Sequence, residues 1–219
     1  MSRPFTAHDV EQRSEAWRKL RAGRLCASVA GDMMATRKDK VEAAARRDLR
    51  TQLVCETITG EPQDDPYLSK DMTRGIEVEA DAFAAYELDT STVVQKVGFV
   101  THVELLAGYS PDGIVGDFAG CVELKCPRAA NHLAYVRGRE LPREWFWQLQ
   151  HALWITRAPW ADFASYCPQF PEPLRLFRVR VHRNEVQMNA YEIMLRAFLA
   201  EVEKEVEAVK SLMTAGAAA

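Results

Sequence analysis

At 219 residues and 47% hydrophobic content the chain is sized for one domain with a substantial core, and no apolar run approaches the length of a membrane-spanning helix. A net charge of -3 argues against a generic nucleic-acid coat, yet the charge is uneven: 12 Lys/Arg against 7 Asp/Glu in residues 1–50, 6 against 3 in 121–160, and 2 against 10 in 56–90. Met-Ser-Arg-Pro-Phe-Thr at the start lacks the apolar core of a signal peptide, so a cytoplasmic protein is expected, and Cys26, Cys55, Cys121, Cys126 and Cys167, with no Cys-x-x-Cys pair, read as buried thiols.

The pattern predicts a first helix over 8–20, capped by Asp9, with Ala16, Trp17 and Leu20 on its apolar side and Gly23 as a left-handed stop. Ser28 is placed to cap the next helix, through Val29 to Met34. A long helix is expected over 41–58, then a loop over 63–66. Another follows over 70–88, where Ile76, Ala80, Phe83, Ala84 and Leu88 recur at helical spacing. The period then changes, and strands are predicted over 93–100, 101–109, 114–117 and 120–126. Helices follow over 129–138 and 142–156, strands over 163–167 and 174–181, and a final helix over 184–213 before a frayed tail at 215–219. With no repeat and no linker, residues 1–219 form one domain. It is an α+β fold with a mostly antiparallel sheet and an N-terminal helical elaboration.

Chemistry concentrates in Tyr109-Ser110-Pro111-Asp112-Gly113 followed by Cys121-Val122-Glu123-Leu124-Lys125-Cys126-Pro127. On a strand Glu123 and Lys125 share one face and Val122 and Leu124 the other. A Pro-Asp-Gly turn can bring Asp112 beside them. Two carboxylates supply hard oxygen ligands for a divalent cation, and a lysine can hold or help deprotonate an attacking water. That set suits phosphodiester hydrolysis; Glu-x-Lys alone also suits a solvated ion pair on an ordinary strand.

Upstream, Glu77 and Glu79 cannot share a helix face, so only one can join the site. Glu79 flanks the apolar stripe and is the better placed of the two; the alternative is a solvated acidic face. Gln148 and Gln150, among tryptophans in a core-like helix, read as capped amides or as ligands to water or phosphate. His151 has no ligand partner one turn away and reads as structural.

The chain resembles the phage lambda exonuclease family, the YqaJ-type viral recombinase nucleases. The likeness is carried by Ala16-Trp17-Arg18-Lys19-Leu20-Arg21-Ala22-Gly23, Ala27-Ser28, Arg74-Gly75 with Glu79, Ser110-Pro111-Asp112-Gly113, Glu123-Leu124-Lys125-Cys126-Pro127, and Gln148-Leu149-Gln150 with Leu153-Trp154-Ile155-Thr156. The resemblance implies a restriction-endonuclease-like core, a central mixed sheet flanked by helices, with the PD-(D/E)xK signature. It implies a magnesium-dependent exonuclease, with manganese as a possible substitute, that degrades one strand of double-stranded DNA from its 5′ end. Asp112, Glu123 and the Leu124 carbonyl then match ligands of a first metal, and Glu79 the carboxylate of a second. Lys125 matches the water-activating lysine and Gln148 its helper. Arg21, Ser28 and Ser110 match a 5′-phosphate pocket. Arg37, Lys38 and Met72 fall where such enzymes open the DNA end, in a locally undistinctive stretch. A ring-shaped homotrimer and a single-strand annealing protein as partner are also implied. An endonuclease of the same fold would share Asp112, Glu123 and Lys125 but not the phosphate pocket; a silent DNA-end-binding protein would need neither metal nor lysine.

Overall fold

A computed structural model describes residues 3–39, 41–63 and 70–216, the side chains of 70–72 and 213–216 excepted. The strands are β1 Phe5–His8, β2 Leu25–Cys26, β3 Val94–Gln95, β4 Phe99–His102, β5 Ala107–Tyr109, β6 Gly113–Val115, β7 Gly120–Lys125, β8 Trp160–Tyr166 and β9 Leu176–His182. The helices are α1 Glu15–Arg21, α2 Ala30–Met33, α3 Ala44–Thr59, α4 Lys70–Thr90, α5 Ala129–Gly138, α6 Arg143–Thr156 and α7 Glu185–Gly216. They build two mixed sheets, ordered β1-β4-β5-β2 and β3-β6-β7-β8-β9. The parallel pairs are β2 with β5 and β7 with β8; the remaining neighbours are antiparallel. The α+β fold with a mixed central sheet is as expected.

The five-stranded sheet is covered on both faces, and strand alternation decides which residue goes where. Cys121 and Phe163 join the larger core with Leu149, Leu153 and Ile155 of α6, Tyr191, Leu195 and Phe198 of α7, and Leu49 and Leu53 of α3. Val122, Leu124 and Ala164 face the other way, against Ala82, Phe83 and Tyr86 of α4. At roughly 25 cal/mol per Å² of buried apolar surface, each large side chain so placed contributes about 1.5–3 kcal/mol. Glu123 pairs in register with Phe163 and therefore lies on the α6 face.

Several local expectations are corrected. Residues 5–8, where nothing was expected before a helix start at 8, form β1, antiparallel to β4. The first helix starts only at Glu15, capped by Ser14, whose Oγ accepts from the Trp17 N–H at 3.2 Å; Asp9 is no cap. Gly23 does adopt the left-handed conformation, with φ 70. Ser28 lies inside a 3₁₀ turn over Ala27–Val29, and α2 has no side-chain cap. The expected strand over 93–100 splits into β3 and β4, which belong to different sheets. Gly98 sits at the break, where a Cβ would fall 1.9 Å from the Val10 carbonyl oxygen; only glycine admits that close approach. On α4 the buried stripe is Ala82, Phe83 and Tyr86, while Ile76 and Leu88 are exposed. The helix is turned to bring the Tyr86 hydroxyl to buried Asp162, 2.7 Å away. Cys26, Cys121 and Cys167 are buried thiols as expected, whereas Cys55 is exposed and Cys126 half-buried. The loop over 64–66 and the tail from 217 lie outside the described residues.

Candidate active site

Strand β7 outruns its neighbour, and that mismatch makes the site. Strand β6 pairs only with Gly120–Val122, through Gly113, Ile114 and Val115. Beyond Val122 the β6 edge of β7 has no strand beside it. The Leu124 N–H points to that edge and donates to Asp112 Oδ2 at 2.8 Å. In a strand a residue's N–H and C=O project to the same edge, so the Leu124 carbonyl also faces the Asp112 side. The turn carrying Asp112 is pinned from α1's approach: Gln12 Nε2 donates to the Pro111 carbonyl at 2.8 Å and to the Val97 carbonyl at 3.3 Å.

Glu123 is 3% exposed and accepts, through Oε1, from both Lys125 Nζ and Gln148 Nε2. Its other oxygen, Oε2, is buried with no hydrogen-bond partner. Such an orphaned carboxylate oxygen is costly unless something else satisfies it. Lys125 Nζ stands 3.6 Å from Asp112 Oδ2 and 4.8 Å above the Trp145 ring. Burial first, and then the Asp112 charge, push the Glu123 carboxyl well above the usual carboxylate range. Burial would lower the Lys125 ammonium, but Asp112 and Glu123 override it and hold its pKa above the ordinary value. In this arrangement Lys125 is a cation and a proton donor, not a free base.

Glu79 is not brought into contact with this cluster. Its carboxylate pairs with Lys96, whose ammonium also sits 3.9 Å from the Phe83 ring centroid. The Cys126 thiol, raised chiefly by burial, also feels the charges of Glu79 and Asp112, so both lie on its flank. Among the described residues no three His, Cys, Asp or Glu side chains converge as a ready cage. Buried Glu123 Oε2, Asp112 and the Leu124 carbonyl are nevertheless hard oxygen donors of the kind that could hold a divalent cation.

Trp17 links Arg21 to Ser110, and Ser28 lies in the 3₁₀ turn that follows β2. Cys26 is opposite Gly108 on β2 and β5, so Ser28 and Ser110 each lie two residues beyond a matched pair. The Arg21 guanidinium lies 4.2 Å from the Trp17 ring centroid, and Trp17 Nε1 donates to Ser110 Oγ at 2.6 Å. Ser110 in turn donates to the Gly98 carbonyl at 3.0 Å, so an incoming anion must compete for its proton. Buried Glu56 fixes the following turn by accepting from the Gly23 N–H at 2.8 Å.

Gln150 is buried, unlike Gln148, and His151 is a core residue: Nδ1 meets the Tyr191 hydroxyl at 2.8 Å and burial drives its pKa down to about 3. Arg37 pairs with Asp39 at 2.7 Å and Lys38 is exposed, neither touching the Glu123 cluster; the Met72 side chain lies outside the described residues. Gln12, Trp17 and Trp145 act on the site without having been given a site role from the sequence. Trp17, four residues before Arg21, and Trp145, three before Gln148, carried a positional signal; Gln12 carried none.

Replacing Lys125 with Ala is expected to cost turnover at least about 100-fold, as for loss of a general acid–base group, while leaving divalent-metal affinity within about threefold. Calorimetric titration checks it, since a protonated lysine is no ligand; lost metal binding would contradict the role.

Comparison with known proteins gives the family and the fold. Residues 16–159 match the family described as the YqaJ-like viral recombinase domain. The structure is similar to that of an alkaline exonuclease, LHK-Exo, from Laribacter hongkongensis, at 32% identity and TM-score 0.82, covering 92% of this chain and 98% of that one. LHK-Exo in complex with dAMP gives the same figures. A phage related exonuclease from Haemophilus somnus 129PT shares the fold at 13% identity and TM-score 0.64, covering 85% of this chain and 96% of that one. No curated protein matches the sequence.

Proposed function

We propose, from the premise that the chain belongs to the YqaJ-like viral recombinase domain family, that it is a Mg²⁺-dependent 5′-to-3′ exonuclease on linear double-stranded DNA. The nuclease role follows from the family and from the likeness to an alkaline exonuclease. The observation that carries the finer reading is the buried, unpartnered Glu123 oxygen beside Asp112 and the open Leu124 edge.

In this reading Asp112, Glu123 and the Leu124 carbonyl hold Mg²⁺, or Mn²⁺ in its place. The bound cation would supply Lewis-acid charge for the scissile phosphate and acidify the attacking water. Lys125 holds that water or the phosphate as a cation, and Gln148 keeps Glu123 oriented through its amide. Glu79 would serve a second ion only by giving up Lys96. Arg21, Ser28 and Ser110 hold the terminal 5′ phosphate, which fixes register so that cutting proceeds stepwise from an end. Trp17 supports the pocket from below Arg21. A ring-shaped homotrimer around the DNA and a single-strand annealing protein receiving the 3′ tail complete the proposal. Among the described residues no helix is long and apolar enough to cross a membrane.

Digestion of end-labelled linear duplex, with and without a 5′ phosphate, in Mg²⁺ and after chelation, tests the reading. Equal cutting of covalently closed circles would make it an endonuclease; no Mg²⁺-dependent cutting would leave a binding protein.

Arg21→Ala is expected to erase most of the preference for 5′-phosphorylated over 5′-hydroxyl ends, with a residual slow cleavage. A charge-assisted contact of this kind is worth about 1.5–3 kcal/mol, or roughly 10- to 150-fold in end preference. An unchanged rate ratio between the two ends, wild type against variant, would remove Arg21 from the pocket.

A further inference from the structure

We propose that the turn joining α5 to α6 is a duplex-binding arm, in which Arg137, Arg139 and Arg143 hold the DNA phosphate backbone beside Lys125. The proposal rests on the nuclease reading above and names the residues through which the substrate is held.

Residues 125–143 carry five Lys/Arg and one Asp/Glu, a charge of +4 in a chain of net -3, which leaves -7 on the remainder. A polyanion approaching such a molecule is attracted here and to the basic residues 1–50, and repelled by the acidic remainder. All three arginines are exposed, and no ion pair or hydrogen bond from their guanidinium groups ties them to any described residue. Among other exposed arginines, Arg178 is engaged by Asp89 and Arg196 by Glu192, whereas Arg13 and Arg157 are as open as these three.

The arm is built into the site and not merely near it in sequence. Trp145, in the first turn of α6, lies 4.8 Å below the Lys125 ammonium. Its Nε1 donates to the Tyr135 hydroxyl at 3.3 Å, and Tyr135 donates to Glu144 at 2.9 Å. The last turn of α5 and the first turn of α6 are thereby locked together next to the lysine. Arg137 follows Tyr135 by two residues and Arg143 precedes Trp145 by two. Arg139 closes α5 in the left-handed conformation, φ 54, its N–H bonded to the Tyr135 carbonyl at 3.1 Å. Glycine ordinarily fills such a position. Here it carries a guanidinium into solvent at the tip of the turn. Guanidinium forks suit phosphate oxygens, and each phosphate neutralised releases a condensed counterion.

The test compares the full-length triple variant R137A/R139A/R143A with the wild type, measuring duplex affinity in chelator so that no cleavage intervenes. The expected result is a Kd at least about 10-fold weaker near 0.15 M salt, and a salt slope shallower by about 2 to 3 units. The variant R137K/R139K/R143K should recover most of the slope but not all of the affinity. Removing three charges from α7 instead, at Arg196, Lys204 and Lys210, should leave the slope unchanged. An unchanged slope in the first variant, or an equal loss in the α7 control, overturns the arm. So does a first variant that binds duplex normally but no longer binds polyglutamate, which would assign the turn to an acidic protein partner. Because affinity is read without cleavage, failure of the arm is distinct from failure of the nuclease reading, which wild-type digestion decides.

Discussion

Glu123→Ala is expected to abolish useful cleavage, with turnover falling by about 10²–10³-fold or more, the lower bound being the range seen when one group that stabilises transition-state charge is removed. Glu123 is the buried carboxylate on which Lys125 and Gln148 converge and whose second oxygen has no partner. Its removal leaves Asp112 as the one carboxylate in the cluster, and calorimetry should show Mg²⁺ affinity lost along with activity. The fold should survive, because the side chain is poorly compensated where it stands. Its pKa is raised in the folded state, so the ionised form is disfavoured there. Its contribution to stability is full below the ordinary carboxylate pKa and is lost as pH rises through the raised folded value. The isosteric Glu123→Gln should therefore gain thermal stability relative to wild type as pH rises over that window, while remaining inactive. Near-wild-type turnover in either variant would dismantle the site; a midpoint difference that does not move with pH would contradict the burial argument alone.

Asp162→Ala should produce the largest loss of stability, about 3–5 kcal/mol, without touching any candidate catalytic group. Asp162 is fully buried on β8 and accepts from Arg180 Nε and Nη2, each at 2.8 Å, and from the Tyr86 hydroxyl at 2.7 Å. Arg180 also lies 3.6 Å from the Trp160 ring centroid. One carboxylate thus ties α4 to β8 and β9. Without it the solvent-reaching Arg180 guanidinium and the buried Tyr86 phenol lose their acceptor together, and the phenol then carries its desolvation cost uncompensated. Urea unfolding should show a lower midpoint with an unchanged slope. A loss below about 1 kcal/mol would mean that water replaces the carboxylate.

The central strand and its chemistry were legible because they depend on short-range rules. Alternation alone puts Glu123 and Lys125 on one face and Val122 and Leu124 on the other, and the folded chain sorts them so. The helices expected over 129–138 and 142–156 were equally readable, and form over Ala129–Gly138 and Arg143–Thr156, since their apolar spacing repeats over many residues. Strand β1, four residues long, carried no such signal. It exists because it pairs with β4, nearly a hundred residues away. The same holds for the division of 93–100 between two sheets, which is set by a chain crossing at Gly98.

For the site itself, the sequence by itself determined which residue types were available and the face each takes on β7. Only the tertiary structure decided the rest. It ended β6 early, so that Asp112 meets the Leu124 edge. It aligned β2 with β5, Cys26 opposite Gly108. It set Trp17 under Arg21, and it gave Glu79 to Lys96. The physical reason is range. Side-chain alternation and helical period are fixed by the local backbone, whereas strand ends, register and the choice of ion partner are fixed by contacts between segments far apart in sequence, whose energies no local window contains.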